Sequence, residues 1–163
     1  MAYMLITCFS LLLAVAVNSC SVYLQKQRRI YDKFRHGLLV HGLIILPFWL
    51  AFGFLASTLG SNYRLPTIPL PALGYVLTAA AICMFVTAVY SLGPGSLVNS
   101  NFFKATAFTK KGIYKFLRNP IYDSYWLFFL ALGFITSNAA FFIIAGLSFI
   151  GLNVIESRIE RFG

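Results

Sequence analysis

The sequence predicts an all-α, polytopic membrane protein of about five transmembrane helices, the last two of which form a helical hairpin. Its 163 residues are 60% hydrophobic and only 10% charged, a balance that would leave a water-soluble domain with more apolar surface than it could bury. A transmembrane helix needs about 20 apolar residues to cross a hydrocarbon core roughly 30 Å thick, and several stretches meet or approach that length. We expect one membrane domain over residues 1–163.

Three apolar stretches predict three helices in residues 1–90. The first runs from about Tyr3 to Tyr23, the second from about Gly37 to Leu59, and the third from about Leu70 to Tyr90. The first lacks the basic start and the small-residue cleavage site of a signal peptide, so we expect it to be retained. The third is followed by Gly93-Pro94-Gly95, a strong helix-breaking signal.

The last apolar block, Ile121 to Ile155, predicts a hairpin. As a single helix it would be about 52 Å long, which is too long for one crossing. Thr136-Ser137-Asn138 is the polar interruption near its middle, so we expect a tight turn there between two short helices. Such a hairpin returns Glu156 to the membrane face from which Arg118-Asn119-Pro120 enters.

The basic residues indicate the orientation of the helices. Thirteen Lys and Arg against four Asp and Glu give a net charge of +9, and the basic residues gather in residues 26–35 and 104–118. Because cytoplasmic loops of membrane proteins are rich in Lys and Arg, we attribute this charge to topology and expect no nucleic-acid partner. The predicted N-terminus is outside and the C-terminus cytoplasmic, in a bacterial inner membrane or the endoplasmic reticulum. No cysteine spacing indicates a disulfide or metal site.

The segment before the hairpin carries the most informative motif. It contains Gly112-Ile113-Tyr114, followed by Arg118-Asn119-Pro120-Ile121-Tyr122. This pattern resembles the signature of the isoprenylcysteine carboxyl methyltransferase and phospholipid methyltransferase superfamily, in which Gly-x-Tyr precedes Arg-His-Pro-x-Tyr or Arg-Asn-Pro-x-Tyr and a helical hairpin. The segment Glu156 to Gly163 resembles the Glu-rich end of that signature, so the resemblance covers about Gly93 to Gly163.

The resemblance implies an S-adenosylmethionine-dependent methyltransferase acting on a lipid-like or isoprenylcysteine-like amphipathic acceptor that arrives from the bilayer. Residues 91–163 would then form a cofactor-binding loop and the hairpin. One wall of the cofactor pocket, and the carboxylates facing it, would comprise Gly112, Tyr114, Arg118, Asn119, Tyr122, Glu156 and Glu160. Cations, carboxylates and tyrosine rings also suit the carboxylate, ammonium and sulfonium groups of this cofactor on chemical grounds. No catalytic residue and no metal is implied.

Each of these residues also has a local interpretation. Asn119 and Pro120 fit the N-cap and N1 positions of a helix, and the two tyrosines fit an interfacial aromatic belt. Arg118 fits a topology anchor or a contact to anionic headgroups. Glu156 and Glu160, spaced i,i+4, fit a solvated helix end.

Two further polar residues lie in or beside the predicted helices. Asp123 is near the start of the fourth helix, where the helix dipole favours a carboxylate, and a general-base role is the alternative. His41 lies inside the second predicted span. Because a polar side chain is costly there, we expect it to hydrogen-bond to a neighbouring helix rather than to take part in catalysis.

The sequence departs in two places from the superfamily that it resembles, and these departures leave other functions open. Ser124 stands where its members usually have Gly, and the chain ends at Gly163 where they usually continue. A non-catalytic or degenerate member is therefore one alternative. A fragment of a sterol-reductase-type NADPH enzyme is less favoured, because the C-terminal segment lacks the cysteine typical of those proteins.

Overall fold

The computed structural model describes residues 2–59, 65, 70–93 and 111–156, with the side chains of 154–156 excepted. These residues form helices and no strand, which confirms the all-α prediction. Five α-helices lie in this part of the chain, and we number them in order: α1 (Ala2–Arg28), α2 (Gly37–Ser57), α3 (Pro71–Leu92), α4 (Pro120–Thr136) and α5 (Ala139–Ser148). A π-helix (Phe149–Glu156) continues α5, and short 3-10 helices span Ile30–Lys33 and Gly112–Lys115.

Helices α1, α2 and α3 are long and apolar enough to cross a membrane. This confirms the three predicted N-terminal spans. Helix α1 continues to Arg28, beyond the predicted end at Tyr23, because Gln, Lys and Arg are good helix formers once the chain leaves the apolar core. Helix α3 begins at Pro71, where proline suits the first turn, and ends before Gly93 at φ 87°.

The predicted hairpin is confirmed. Helix α4 ends at Thr136, and the left-handed backbone of Ser137 (φ 50°) reverses the chain. Asn138 caps α5 by accepting a hydrogen bond from the Ala140 amide. The amide of Leu65 donates to the Ser137 carbonyl at 2.7 Å. The tip of the hairpin is therefore bonded to the segment that precedes α3.

The helices pack in neighbouring pairs, α1 with α2, α3 with α4, and α4 with α5. Helix α1 also contacts α5 and the π-helix, so a shared hydrophobic core forms from Leu11 of α1, Phe52 of α2 and Ile144 of α5. Small residues allow close approach: a Cβ added to Gly74 of α3 would lie 2.9 Å from the Ala131 carbonyl oxygen of α4. This is the way membrane helices bring their backbones together.

The predicted hydrogen bond from His41 to a neighbouring helix is confirmed. It is fully buried, and a hydrogen bond of 2.7 Å joins its Nδ1 to the hydroxyl of Ser21 on α1. Tyr31 packs edge-on against its ring, with the ring centroids 5.5 Å apart. The polar residue that is costly inside α2 is thus satisfied by α1.

Candidate functional site

The candidate site lies at the base of the hairpin, which is the end opposite Ser137. The last turn of α3, the start of α4 and the π-helix meet there with the second 3-10 helix, Gly112–Lys115, which is called the 3-10 helix from here on. Gly112 fixes the position of the 3-10 helix. Its backbone has φ 56°, and a Cβ added there would overlap the Ser91 hydroxyl of α3. The glycine of the Gly-x-Tyr motif is therefore required both by its left-handed conformation and by the close approach to α3.

The aromatic and cationic motif residues occupy different surroundings. Tyr114 is half-buried in the 3-10 helix, whereas Arg118 is exposed in the link to α4. Tyr122 is half-buried and packs against the hydrophobic core that α1, α2 and α5 share. Its ring therefore has a packing role within the bundle, which the interfacial-belt interpretation alone does not describe.

Asn119 and Pro120 occupy the N-cap and N1 positions of α4, as their local interpretation predicts. The Asn119 carbonyl accepts the first helical hydrogen bond, from the Asp123 amide at 2.9 Å. Its side chain, however, makes no capping bond. Helix capping thus explains where Asn119 lies and leaves its amide group unexplained.

Asp123 joins the two arms of the hairpin. It lies in the first turn of α4, as the helix-dipole argument predicts, and its Oδ1 accepts hydrogen bonds from Trp126 Nε1 at 3.2 Å and from Asn153 Nδ2 at 3.1 Å. Asn153 belongs to the π-helix, so this bond ties the end of the second arm to the start of the first. A π-helix inside a helical segment is frequent at functional sites.

Sequence reasoning did not identify Asn153 or Trp126. One signal was available, because Asp123 and Asn153 lie at nearly equal distances along the chain from Ser137, so that a hairpin with its turn there places them opposite each other. Glu156 follows Asn153 by about one helical turn, and its backbone ends the π-helix. The side chain of Glu156 and the whole of Glu160 lie outside the described residues, as do residues 94–110, the part of the cationic segment before Lys111.

Ser124, the departure from the usual Gly, is buried in α4. Its hydroxyl donates to the Ile121 carbonyl at 2.6 Å, within the same helix. The hydroxyl is therefore satisfied locally and does not need a partner from another helix or from a ligand.

We expect Gly112→Ala to displace the 3-10 helix from α3. The left-handed backbone costs an alanine about 1–2 kcal/mol, and the added methyl group must also move Ser91. The matched control is Gly53→Ala in α2, where an added Cβ meets nothing within 4 Å and alanine should stabilise the helix. Thermal unfolding in detergent should show a loss of stability for Gly112→Ala alone. Equal melting temperatures for both variants would contradict the close approach.

Comparison with known proteins finds a family match that covers this region. The phospholipid methyltransferase family model matches residues 70–162, more than half of the chain. Neither a curated protein nor a solved structure gives a match. The matched range contains α3, the 3-10 helix and both arms of the hairpin, so the family signal and the candidate site coincide.

Proposed function

Since the chain belongs to the phospholipid methyltransferase family, we propose that it transfers the methyl group of S-adenosylmethionine to a lipid-like or isoprenylcysteine-like amphipathic acceptor in the membrane. The observation that carries the proposal is the match over residues 70–162, because it includes both the Gly-x-Tyr and Arg-Asn-Pro-x-Tyr motifs and the hairpin that follows them. The transfer would go to a carboxyl oxygen or an amine nitrogen of the acceptor.

The side chains at the hairpin base fit the polar groups of the cofactor. Arg118 presents an exposed guanidinium suited to a carboxylate, and the half-buried Tyr114 ring suits the cationic sulfonium. The Asn119 amide is not used by its helix cap. Glu156 and Glu160 would face the ammonium group, as the family resemblance implies. When bound, S-adenosylmethionine would supply an electrophilic methyl group.

The chain's own contribution to the reaction would be orientation and exclusion of water. The Asp123–Asn153 bond holds the two arms of the hairpin base together, and Gly112 holds the 3-10 helix against α3. Groups fixed in this way can keep the acceptor nucleophile in line with the methyl group, which lowers the entropic part of the barrier. A carboxylate acceptor would need no base, whereas a protonated amine would first have to lose its proton.

A groove between α2 and the hairpin offers a path for the acceptor. It encloses about 250 Å³ and is lined by Trp49, Phe52, Tyr125, Phe129, Ser148 and Leu152. The Trp49 and Tyr125 rings stack across it with centroids 6.4 Å apart. Its buried Ser148 hydroxyl has no hydrogen-bond partner among the described residues. We infer that a hydrocarbon chain of the acceptor occupies this groove.

The groove leads toward the candidate site. Leu152, which lines the groove, precedes Asn153, and Asn153 bonds to Asp123 at the hairpin base. An amphipathic acceptor lying with its apolar chain between α2 and α4 would therefore bring its polar end close to the motif residues. An apolar wall with few polar groups is typical of sites for such ligands.

Isothermal titration calorimetry on the detergent-purified protein tests the proposed function. We expect saturable, micromolar binding of S-adenosylmethionine or its demethylated product, and no binding of NADPH. Binding of NADPH instead would favour the sterol-reductase alternative. Well-folded protein that binds neither cofactor would favour a non-catalytic family member.

Narrowing the groove tests the acceptor path. We expect Ser148→Ile to raise the KM for a long-chain acceptor roughly tenfold, because the larger side chain enters the groove and removes its buried hydroxyl, while the Kd of S-adenosylmethionine stays unchanged. The matched control is Thr87→Ile on the exposed face of α3. Phosphatidylethanolamine and a farnesylcysteine analogue serve as acceptors in a radiolabelled methyl-transfer assay. If Ser148→Ile leaves the KM unchanged for every acceptor that is methylated, the groove is not the binding site of the acceptor chain.

A further inference from the structure

The connection between α1 and α2 lies outside the region matched by the family, and the proposed function makes no use of it. We call residues 26–36 the cationic turn. It has one acidic residue, Asp32, against five basic ones: Lys26, Arg28, Arg29, Lys33 and Arg35. The side chains of Arg28, Arg29, Lys33 and Arg35 are all exposed.

Buried hydrogen bonds hold the cationic turn in one conformation. Tyr31 is only 4% exposed, and its hydroxyl bonds to the Ser21 hydroxyl. The Ser21 hydroxyl also bonds to His41 Nδ1. Gln25 is equally buried and acts twice: its Oε1 accepts from the Tyr31 amide at 3.0 Å, and its Nε2 donates to Asp32 Oδ1 at 2.8 Å. The side chains of α1 and α2 thus fix the backbone that carries the cations.

From the length of α1 we expect the cationic turn to lie at the depth of lipid headgroups. Helix α1 has 27 residues and is therefore about 40 Å long, roughly 10 Å more than the hydrocarbon core, so its last turns reach the headgroup region. Phe34 is 53% exposed among the cations and can enter the acyl region below them. Asp32 offsets one of these charges, because its Oδ2 lies 3.6 Å from Nη1 of Arg29. The turn keeps a net positive charge, and its other exposed lysine and arginine side chains are Arg28, Lys33 and Arg35.

We propose that the cationic turn is a binding site for the phosphate headgroup of an anionic phospholipid. Charge alone would be enough to set the orientation of the helices, and such a signal needs no fixed conformation. Here a buried polar network holds the turn in shape, and a preorganised site loses less conformational entropy when it binds a ligand. The depth of the turn and the exposed Phe34 favour a lipid over a soluble anion.

Native mass spectrometry of the detergent-solubilised protein, titrated with phosphatidylglycerol or phosphatidylcholine, tests this proposal. We expect wild type to retain phosphatidylglycerol preferentially and saturably. Arg28→Gln with Lys33→Gln should weaken that binding about fivefold for each cation removed. The matched control, Lys111→Gln with Lys115→Gln, removes the same charge from another loop and should leave binding unchanged.

Variants that keep the net charge separate a built site from simple attraction. Gln25→Leu removes both hydrogen bonds that Gln25 makes to the turn. If that variant does not fold, Tyr31→Phe is the milder substitution, because it removes only the hydrogen bond between Tyr31 and Ser21. We expect weaker phosphatidylglycerol binding with unchanged helical circular dichroism. Wild-type binding by the folded variants would overturn the proposal, as would equal losses in the lysine control. Displacement of the lipid by millimolar glycerol phosphate would also overturn it, because the ligand would then be a soluble phosphate.

Discussion

Arg118→Ala is expected to weaken S-adenosylmethionine binding roughly ten- to a hundredfold without unfolding the protein. A hydrogen bond to a charged group contributes about 1.5–3 kcal/mol, and 1.4 kcal/mol corresponds to a tenfold change in Kd. Because the Arg118 side chain is exposed and contributes nothing to the hydrophobic core, its loss should leave the melting temperature close to that of wild type. Calorimetric titration and thermal unfolding of the same preparation measure both effects.

Lys115→Ala is the matched control, since Lys115 is an exposed cation in the neighbouring 3-10 helix. It should bind the cofactor as wild type does. Glu156→Ala should weaken binding to a similar extent as Arg118→Ala, because the proposed pocket needs a carboxylate opposite the ammonium group. Equal losses for Lys115→Ala and Arg118→Ala would indicate general charge attraction, and unchanged binding in Arg118→Ala would leave Arg118 as a topology anchor.

The helices were predictable because each rests on a property that acts over many residues. A run of about 20 apolar residues must be a helix in a membrane, where every backbone polar group has to be satisfied within the segment. The length of the block from Ile121 to Ile155 required a turn, and Thr136-Ser137-Asn138 was the place where polar side chains could tolerate one. The observed turn at Ser137 follows from that argument.

The pairing of polar side chains was less predictable. His41 was expected to need a partner, but nothing in the sequence identifies Ser21 or Tyr31, because the partner depends on how α1 and α2 are rotated about their axes. For Asn153 and Asp123, the nearly equal distances from Ser137 place the two residues opposite each other but do not show that their side chains bond. In a uniformly apolar chain the hydrophobic pattern gives little information about rotation, so small residues and a few polar contacts decide it.

At the candidate site, some features could be predicted from the sequence and others could not. The Asn119-Pro120 pair predicted that Asn119 would lie at the start of a helix, which the structure confirms. The sequence could not predict that its side chain makes no capping bond. Gly112 was singled out by resemblance, and its positive φ and contact with Ser91 supply a physical reason that the spacing did not contain. Cofactor binding by these residues stays a prediction.

Asn138→Ala is expected to cost about 2–4 kcal/mol of the free energy of unfolding, which would make it the most destabilising of the substitutions considered. Asn138 is fully buried at the hairpin tip. Its Oδ1 accepts from the Ala140 amide at 2.9 Å, and its Nδ2 donates to the Leu59 carbonyl at the end of α2 at 3.1 Å. Loss of a cap costs about 1 kcal/mol, and a buried carbonyl left unpaired costs about 1–3 kcal/mol more.

Two comparison variants divide this cost. Asn138→Ser keeps a capping oxygen but has no amide to reach Leu59, so it should lose the second part and retain the first. Thr136→Ala changes an exposed neighbour whose hydroxyl bonds only within its own helix, and should stay within about 0.5 kcal/mol of wild type. Unfolding in mixed detergent micelles measures all three. Equal stabilities for Asn138→Ala and Thr136→Ala would show that the bond from Asn138 to the Leu59 carbonyl, just after α2, does not stabilise the fold.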